Sequence, residues 1–361
     1  MLQDKARQSP SPRIPTLHKE ETVFSYFARA LALSGYTDAR EFSDRLLGRP
    51  ANTGVAGVAE SGLSRFARSM RHFGIRLPRS VLQDHCLAAV GLPFCEQDKY
   101  DKKINSVRFA SHNGKWEYLG MSKTRIKRTP SHCAICTQQD LDTLGYSYWR
   151  RTPQIVGVKM CPTHRVMLSD DCVTCHADWD PNYSPTDTCV HCGAAVLPGD
   201  AFDNSSKHKV FLRFAEAVEA IFVGRITGPM TAKAIRRRIS KLIPESEQVL
   251  VRRLSQIFLD TAGPEYLAEL GLSIKATDKF PWPTGLFAEC TIFAEARLQL
   301  LTYAVLSADK PRESLFLEQF PTHPDWHVCT DPRGFIPDIF HRREQLREER
   351  DGVGVTGQLF H

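Results

Sequence analysis

Four pairs of cysteine or histidine residues, each separated by two residues, lie between positions 133 and 192. A tight turn can place both members of such a pair on one tetrahedral ion, and Zn²⁺ takes four nitrogen or sulfur ligands at about 2.0–2.3 Å. The pairs are Cys133 with Cys136, Cys161 with His164, Cys172 with Cys175, and Cys189 with Cys192. Eight ligands of this kind are enough for two closed sites, so the spacing predicts a module whose fold depends on two zinc ions.

The order of the pairs along the chain favours a sequential assignment. The first ion would be held by Cys133, Cys136, Cys161 and His164. The second would be held by Cys172, Cys175, Cys189 and Cys192. The spacing leaves open an interleaved arrangement, in which the first and third pairs share an ion. Neither site has an open position for water, so both are predicted to be structural. The neighbouring histidines are interpreted as surface residues rather than ligands: His132, His176 and His191.

Cysteine content and the N-terminal sequence together predict the compartment. The chain has eleven cysteines, an odd number, and Met1 to Glu20 is polar and contains several prolines, without the apolar segment of a secretory signal. In a reducing compartment, clustered cysteines indicate metal binding rather than disulfides. No apolar run approaches the ~18–20 residues needed to span a bilayer. We therefore expect a cytoplasmic protein that has no membrane partner.

Helical periodicity on both sides of the cysteine pairs predicts a mainly α chain with small β elements. We expect an N-terminal helical domain over residues 1–125, a tandem zinc-binding module over 126–200 and a C-terminal helical domain over 201–361. The first domain suits a helix-turn-helix-like bundle, and equally any small helical domain. A second helix-turn-helix is left open in the C-terminal domain. Alternating residues around Asn113-Gly114 predict a β-hairpin near residues 104–119.

Apolar stripes at helical spacing locate individual helices. The first helix is predicted to begin at the Glu20-Glu21-Thr22 stretch and to end near Gly35. Beyond residue 200, one stripe runs from Val210 to Ile221. Another runs from Leu250 to Phe258 and is ended by Gly263. These helices are expected to bury one apolar face each.

Paired arginines occur inside the first metal loop. Arg150 and Arg151 follow an aromatic run, and Ile155 to Val158 are predicted to form a short strand that leads into Cys161. The planar guanidinium groups of paired arginines on a rigid module suit the recognition of phosphate or carboxylate. A structural role for the same residues is equally compatible with the sequence.

A second basic group belongs to a predicted C-terminal helix. The net charge of +6 and the pI of about 8.7 permit binding to a polyanion without requiring it. At helical spacing, Lys233, Arg237 and Lys241 share one face, which suits contact with phosphates and also an ordinary solvated surface. The candidate residues for contact with nucleic acid or a partner are therefore Arg150, Arg151, Lys233, Arg236, Arg237 and Lys241.

An enzymatic function is weakly supported by the sequence. Zinc deaminases combine H-x-E with P-C-x-x-C and keep one open metal position. Here His18-Lys19-Glu20 matches the first motif, but Pro130 is displaced from Cys133 and a fourth ligand pair competes for the ion. No P-loop, G-x-S-x-G or dinucleotide-binding fingerprint occurs. We predict that the chain is not an enzyme.

Several motifs occur together in one order along the chain. They are Glu20-Glu21-Thr22-Val23-Phe24-Ser25-Tyr26-Phe27-Ala28-Arg29, Cys133–Cys136, Tyr148-Trp149-Arg150, Cys161-Pro162-Thr163-His164 with Leu168, and Cys172–Cys175. This order resembles the TniQ/TnsD family of bacterial transposon target-selection proteins. The opening segment is similar to that family's E-S-x-x-S-(W/F)-x-x-R pattern. The specific resemblance covers roughly residues 18–35 and 130–195.

The resemblance implies a non-catalytic adaptor for DNA transposition. Such proteins select a target site by binding DNA or by docking on an RNA-guided CRISPR complex, and they recruit an AAA+ ATPase regulator that brings in the transposase. The alternative interpretation is a free-standing, zinc-stabilised, sequence-specific transcription factor. The sequence leaves open which DNA site is selected, which targeting route is used and whether the chain forms a homodimer.

Overall fold

The structure of the chain, a computed structural model, describes residues 15–36, 41–42, 85–87, 89–90, 126–127, 129–223, 247–272, 301–302 and 304–305. All of them belong to one of the two units of the chain, Met1–Phe320. The helices whose bounds fall among these residues are α1 (Val23–Ser34), α2 (Ala134–Leu144), α3 (Ser206–Phe222), α4 (Glu247–Ala262) and α5 (Pro264–Glu269). β structure in the same residues consists of isolated antiparallel bridges. The prediction of a mainly α chain with small β elements is confirmed at this level.

Some predicted elements lie outside the described residues. They are the β-hairpin near 104–119, both helix-turn-helix candidates, and the basic helix face of Lys233, Arg236, Arg237 and Lys241. Within the part of the chain that is described, none of the helices has the length and apolar character needed to cross a membrane.

Helix α1 has the boundaries that its sequence predicts. The Thr22 side chain accepts a hydrogen bond from the backbone N–H of Ser25 at 3.1 Å, and Gly35 ends the helix with a φ of 74°. Every residue from Val23 to Leu31 is buried. A helix that is buried on all sides lies in the protein core rather than on its surface, so α1 is a central element.

Helices α3 and α4 also follow their predicted stripes. The Ser205 side chain caps α3 by accepting a hydrogen bond from the His208 N–H at 3.2 Å, and Phe214 is fully buried within this helix. Helix α4 ends just before Gly263, with Leu254 and Phe258 in the core. The two helices contact each other, and α3 also packs on the 3₁₀ turn at Thr152–Gln154.

The strand predicted at Ile155 to Val158 is wrong. Pro153 lies in the first turn of the 3₁₀ segment, where its fixed φ and missing N–H are tolerated. A turn follows, and Gly157 has a φ of 95°. Ile155 and Val158 are nevertheless buried, because the turn directs both apolar side chains into the core.

Gly157 lies where the metal-binding region packs against the C-terminal helices, and we expect its substitution to lower the free energy of unfolding. A Cβ atom at this position would lie 2.6 Å from Leu270 Cδ2 and 3.0 Å from the Phe214 ring. G157A therefore adds overpacking to left-handed strain, and we expect a loss of about 2–4 kcal/mol in unfolding free energy. Chemical denaturation measures this loss.

The matched control is G145A, because Gly145 has a similar φ of 76° and no atom lies within 4 Å of the point that a Cβ would occupy there. This variant should lose only the strain contribution, about 1 kcal/mol. Equal destabilisation of the two variants would contradict the packing role assigned to Gly157.

Candidate metal centres

Three of the four ligand pairs are presented by the same five-residue turn. The turns begin at Cys161, Cys172 and Cys189, and in each the N–H of the fifth residue donates to the carbonyl of the first, at 2.9, 2.7 and 2.8 Å. The fifth residues all have positive φ, of 55°, 54° and 71°: Arg165, His176 and Gly193. The residues that flank each turn are joined by one antiparallel bridge. Local backbone hydrogen bonds therefore orient both ligands of each pair.

The remaining pair lies at the N-terminus of α2. Cys133 is the N-cap residue and Cys136 is in the first helical turn. Free backbone N–H groups and the positive end of the helix dipole favour the thiolate form at such a position. The helix thus contributes electrostatically to the first ligand group.

The first group consists of Cys133, Cys136, Cys161 and His164, whose ligand atoms all lie within 4.8 Å of one another. The Sγ atoms of Cys136 and Cys161 are 3.9 Å apart. His164 Nδ1 lies 3.3 Å from Cys136 Sγ, 3.5 Å from Cys133 Sγ and 3.7 Å from Cys161 Sγ. The three cysteines of the group are buried.

The second group consists of Cys172, Cys175, Cys189 and Cys192. Its cross-pair sulfur distances are 3.7 Å between Cys172 and Cys192 and 3.7 Å between Cys175 and Cys189. Cys172 and Cys189 are buried, whereas Cys175 and Cys192 are exposed. The structure brings the eight side chains together in the sequential grouping, with the first and third pairs in different groups.

The distances within both groups fit Zn²⁺. In a tetrahedral zinc site, two sulfur ligands are about 3.8 Å apart, and a sulfur and a nitrogen ligand are about 3.5 Å apart. The observed separations of 3.7–3.9 Å and 3.3–3.7 Å match these edges. Cys₃His and Cys₄ are also donor sets of structural zinc sites. Both groups can therefore hold a metal ion with all four positions filled by protein.

Close contact between thiols changes their acidity. Hydrogen bonds from the Cys136 and Cys161 thiols lower the pKa of Cys133 to about 3, and the hydrogen bond with Cys133 raises the pKa of Cys136. In the second group, the backbone N–H groups of Cys175 and Thr174 lower the pKa of Cys172 to about 6. Cys133 and Cys172 thus form thiolates readily, which favours metal binding because zinc takes deprotonated cysteine ligands.

The interpretation of His132 as a surface residue is wrong. Its ring packs edge-on against Trp149 and Trp179, with centroids 5.6 and 5.1 Å away, and it is 4% exposed. Burial lowers the pKa of His132 to about 4, so the ring is neutral at pH 7. His132 and Ser169 exchange both backbone hydrogen bonds, at 3.1 and 2.9 Å. This contact joins the segment before Cys133 to the second ligand group.

The predicted contact residues Arg150 and Arg151 both interact within the chain. Arg150 donates to both carboxylate oxygens of Asp140 at 2.6 and 2.8 Å, and its guanidinium lies over the Tyr148 ring. Arg151 is 2% exposed and donates to the Phe222 carbonyl at 3.0 Å. Their contact with nucleic acid or a partner stays a prediction, as does that of the four basic residues at 233–241.

Glu21 and Arg29 form a buried ion pair that sequence reasoning did not assign. Arg29 Nε and Nη2 donate to Glu21 Oε1 and Oε2 at 2.8 and 2.7 Å, with the side chains 6% and 0% exposed. Ser25 Oγ donates to Glu21 Oε1 and accepts from the Trp149 N–H at 2.9 Å. The N-terminal motif thus attaches α1 to the segment between the two ligand pairs of the first group.

His18 belongs to neither four-ligand group. Its ring stacks on Tyr148 at 4.9 Å between centroids, and its Nε2 lies 2.6 Å from the Tyr146 hydroxyl. The H-x-E motif therefore contributes to an aromatic contact at the surface of the metal-binding region. This placement gives no support to a deaminase-type centre.

The chain is thus a helical protein with two four-ligand clusters of the kind that bind structural zinc. The segment between the two ligand pairs of the first cluster is hydrogen-bonded to the buried helix α1. Residues 12–168, somewhat less than half of the chain, match the sequence model of the TniQ family. The resemblance to the TniQ family is confirmed by this match. No curated protein shows significant similarity to the chain. The matched residues include the whole first ligand group and end before Cys172, so the second group lies beyond them.

Proposed function

We propose that the chain is a target-site selection adaptor for DNA transposition. It recognises DNA or an RNA-guided CRISPR complex, and it recruits an AAA+ ATPase regulator and through it the transposase. The match to the TniQ family over residues 12–168 carries this proposal, because TniQ is generally a family of non-catalytic adaptors associated with transposition.

The chemistry of the metal centres supports a non-catalytic role. Catalytic zinc needs an open position for water or substrate. Each ligand group here has four protein donors within 4.8 Å of one another, which is the full set for a tetrahedral ion. In the adaptor, the ions would hold the shape of surfaces that bind other molecules.

The contact with nucleic acid is better assigned to the C-terminal basic face than to the two arginines of the metal loop. Arg150 is engaged with Asp140 and Arg151 with the Phe222 carbonyl. Lys233, Arg237 and Lys241 share a face at helical spacing, and phosphate contacts of this kind make binding strongly dependent on salt.

The test is a pull-down of the zinc-loaded full-length chain with the AAA+ ATPase encoded beside it, with and without duplex DNA. We expect specific retention of the ATPase that resists stringent washing. An ATPase from an unrelated transposon serves as the control. Failure of the neighbouring ATPase to bind in either condition would contradict the adaptor proposal.

The competing transcription-factor hypothesis makes a different prediction for the same protein. It requires tight, sequence-specific duplex binding by this chain alone, with a steep dependence on salt. ATPase retention together with weak, sequence-independent DNA binding favours the adaptor. Specific DNA binding without ATPase retention favours the transcription factor.

A further inference from the structure

The region around the second ligand group has a charge opposite to that of the rest of the chain. Residues 166–206 contain seven aspartates and no lysine, arginine or glutamate. This segment therefore has a formal charge of −7, and because the whole chain has +6, the remainder carries +13. A Zn²⁺ ion held by four thiolates would add further negative charge. We call residues 170–200 the acidic lobe.

Three of the six carboxylates of the acidic lobe are available to a binding partner. Asp170 pairs with Lys127 at 2.8 Å and lies 3.6 Å from Lys159. Asp171 lies 3.5 Å from His176 Nδ1, and Asp180 accepts hydrogen bonds from the backbone N–H and the side-chain amide of Asn182. Asp178, Asp187 and Asp200 are exposed, and no lysine or arginine of the described residues pairs with them. A cationic ligand could therefore approach these carboxylates without displacing an internal ion pair.

The acidic lobe also exposes large apolar side chains. Val173 and Val190 each follow the first cysteine of a metal-binding turn, and they are 67% and 58% exposed. Tyr183 and Leu197 are 60% and 65% exposed. All four lie within residues 173–197, and exposed apolar side chains that form a contiguous patch mark an interaction site. Because backbone hydrogen bonds fix the turns that carry the two valines, little conformational entropy would be lost on binding.

The acidic lobe is attached to the rest of the protein in a way that leaves its exposed apolar side chains in contact with solvent. The connecting segment between its two turns packs inward: Trp149 Nε1 donates to the Tyr183 carbonyl at 2.7 Å, and Ser147 Oγ donates to the Pro185 carbonyl. Trp179 is 6% exposed and donates to Ser169 Oγ at 3.2 Å. The lobe is thus attached by its middle while the tips of both turns are exposed to solvent.

We propose that the acidic lobe is the docking surface for a basic polypeptide segment of a partner protein, one that carries apolar side chains among its lysines or arginines. Nucleic acid does not fit this surface, because phosphates would meet unpaired carboxylates. The apolar contacts would slow dissociation, and the opposite charges would speed association. The identification of this partner as the recruited ATPase rests on the proposed function, whereas the chemistry of the lobe does not.

The first test uses defined peptides and the zinc-loaded full-length chain. Calorimetry would compare a synthetic peptide of lysines and leucines with two analogues, one with glutamate for lysine and one with serine for leucine. We expect measurable binding of the first peptide alone, and at least tenfold weaker binding to V173S/V190S, a change that leaves the charge unaltered. L197S, outside the turns, provides a second variant should the valine variant lose zinc.

The control is L33S/L144S, which removes exposed apolar side chains outside the lobe and should bind the peptide like the wild type. Equal weakening by the control, or no effect of V173S/V190S and L197S, would overturn the proposal. Reduced duplex DNA binding by V173S/V190S would overturn it as well, because it would place nucleic acid on the lobe.

The second test repeats the ATPase pull-down with the same variants. Loss of retention by V173S/V190S, with retention kept by L33S/L144S, supports the ATPase as the docked partner. Peptide binding that depends on the valines, without ATPase retention by the wild type, would reject the adaptor proposal and leave the docking surface supported.

Discussion

Replacing Cys133 by serine is expected to abolish the soluble protein. Cys133 is 2% exposed and belongs to the first ligand group, whose members come from the start of α2 and from the turn at Cys161. A structural zinc ion contributes about 10–16 kcal/mol of apparent binding energy. Net stabilities of domains are about 5–15 kcal/mol, so the loss of one such ion can exceed the whole stability of the fold.

The corresponding cysteine-to-serine variant of the second ligand group, C192S, should remain soluble. Cys192 is exposed, and the acidic lobe keeps its contacts through Trp179, Tyr183 and Pro185 without the ion. We therefore expect C192S to remain soluble and to retain about one zinc ion per chain, while residues 172–200 become sensitive to protease. Metal analysis and limited proteolysis measure both effects.

The matched control for these variants is C86S. Cys86 is 1% exposed and lies in neither ligand group. Its replacement should leave two zinc ions per chain and reduce stability by the ordinary amount for a buried position, about 1–3 kcal/mol. A soluble and folded C133S protein without metal in the first group would contradict the structural role of that centre.

The features that the sequence predicts correctly are those determined by neighbouring residues. The boundaries of α1 follow from the capping ability of Thr22 and the left-handed conformation of Gly35. The four ligand pairs follow from the two-residue spacing, because a local turn or the start of a helix creates each pair, whereas the spacing leaves open which pairs share an ion. In both cases a few consecutive residues contain the whole signal.

The features that the sequence misassigns or leaves open depend on contacts between distant segments. Arg150 is a candidate for phosphate contact in the sequence because nothing in its neighbourhood shows that its Nη1 and Nη2 donate to Asp140, on α2. His132 is misassigned to the surface because the two tryptophans that enclose it are far from it in sequence. Periodicity favours a strand before Cys161, but Pro153 and Gly157 require turns there.

The negative charge of the acidic lobe can be recognised from the sequence alone. The absence of lysine and arginine between residues 166 and 206 can be read without a structure. The net charge of the whole chain hides it, because the excess positive charge lies elsewhere. The exposure of Val173 and Val190 cannot be read in this way, because valine in a helical protein is usually buried.

Replacing Glu21 by glutamine is expected to destabilise the protein by about 3–5 kcal/mol. The carboxylate is fully buried and accepts four hydrogen bonds, two from Arg29, one from Ser25 and one from the His18 N–H. Glutamine has nearly the same shape, but it directs an NH₂ group at donors and leaves the Arg29 charge without its counterion. Removing one partner of a buried pair typically has this cost.

The neighbouring substitution E20Q is the matched control. The Glu20 side chain is partly exposed and forms no ion pair among the described residues, while its backbone carbonyl accepts the Arg151 N–H at 3.0 Å. E20Q keeps this backbone contact and should change stability by about 0.5 kcal/mol or less. Denaturation curves can use tryptophan fluorescence, because Trp149 packs near Phe24 and hydrogen-bonds to Ser25.

A double-mutant cycle separates the ion pair from simple packing. E21L and R29L should each destabilise strongly, because each leaves a buried charge unpaired, whereas the double variant should be less destabilised than the sum of the two. A coupling energy near zero would show that the two charges act independently and would contradict their pairing in the core. A large coupling would make this pair the contact that fixes α1 against the segment between Cys136 and Cys161, and we would then expect E21Q also to speed the loss of metal from the first group to a chelator.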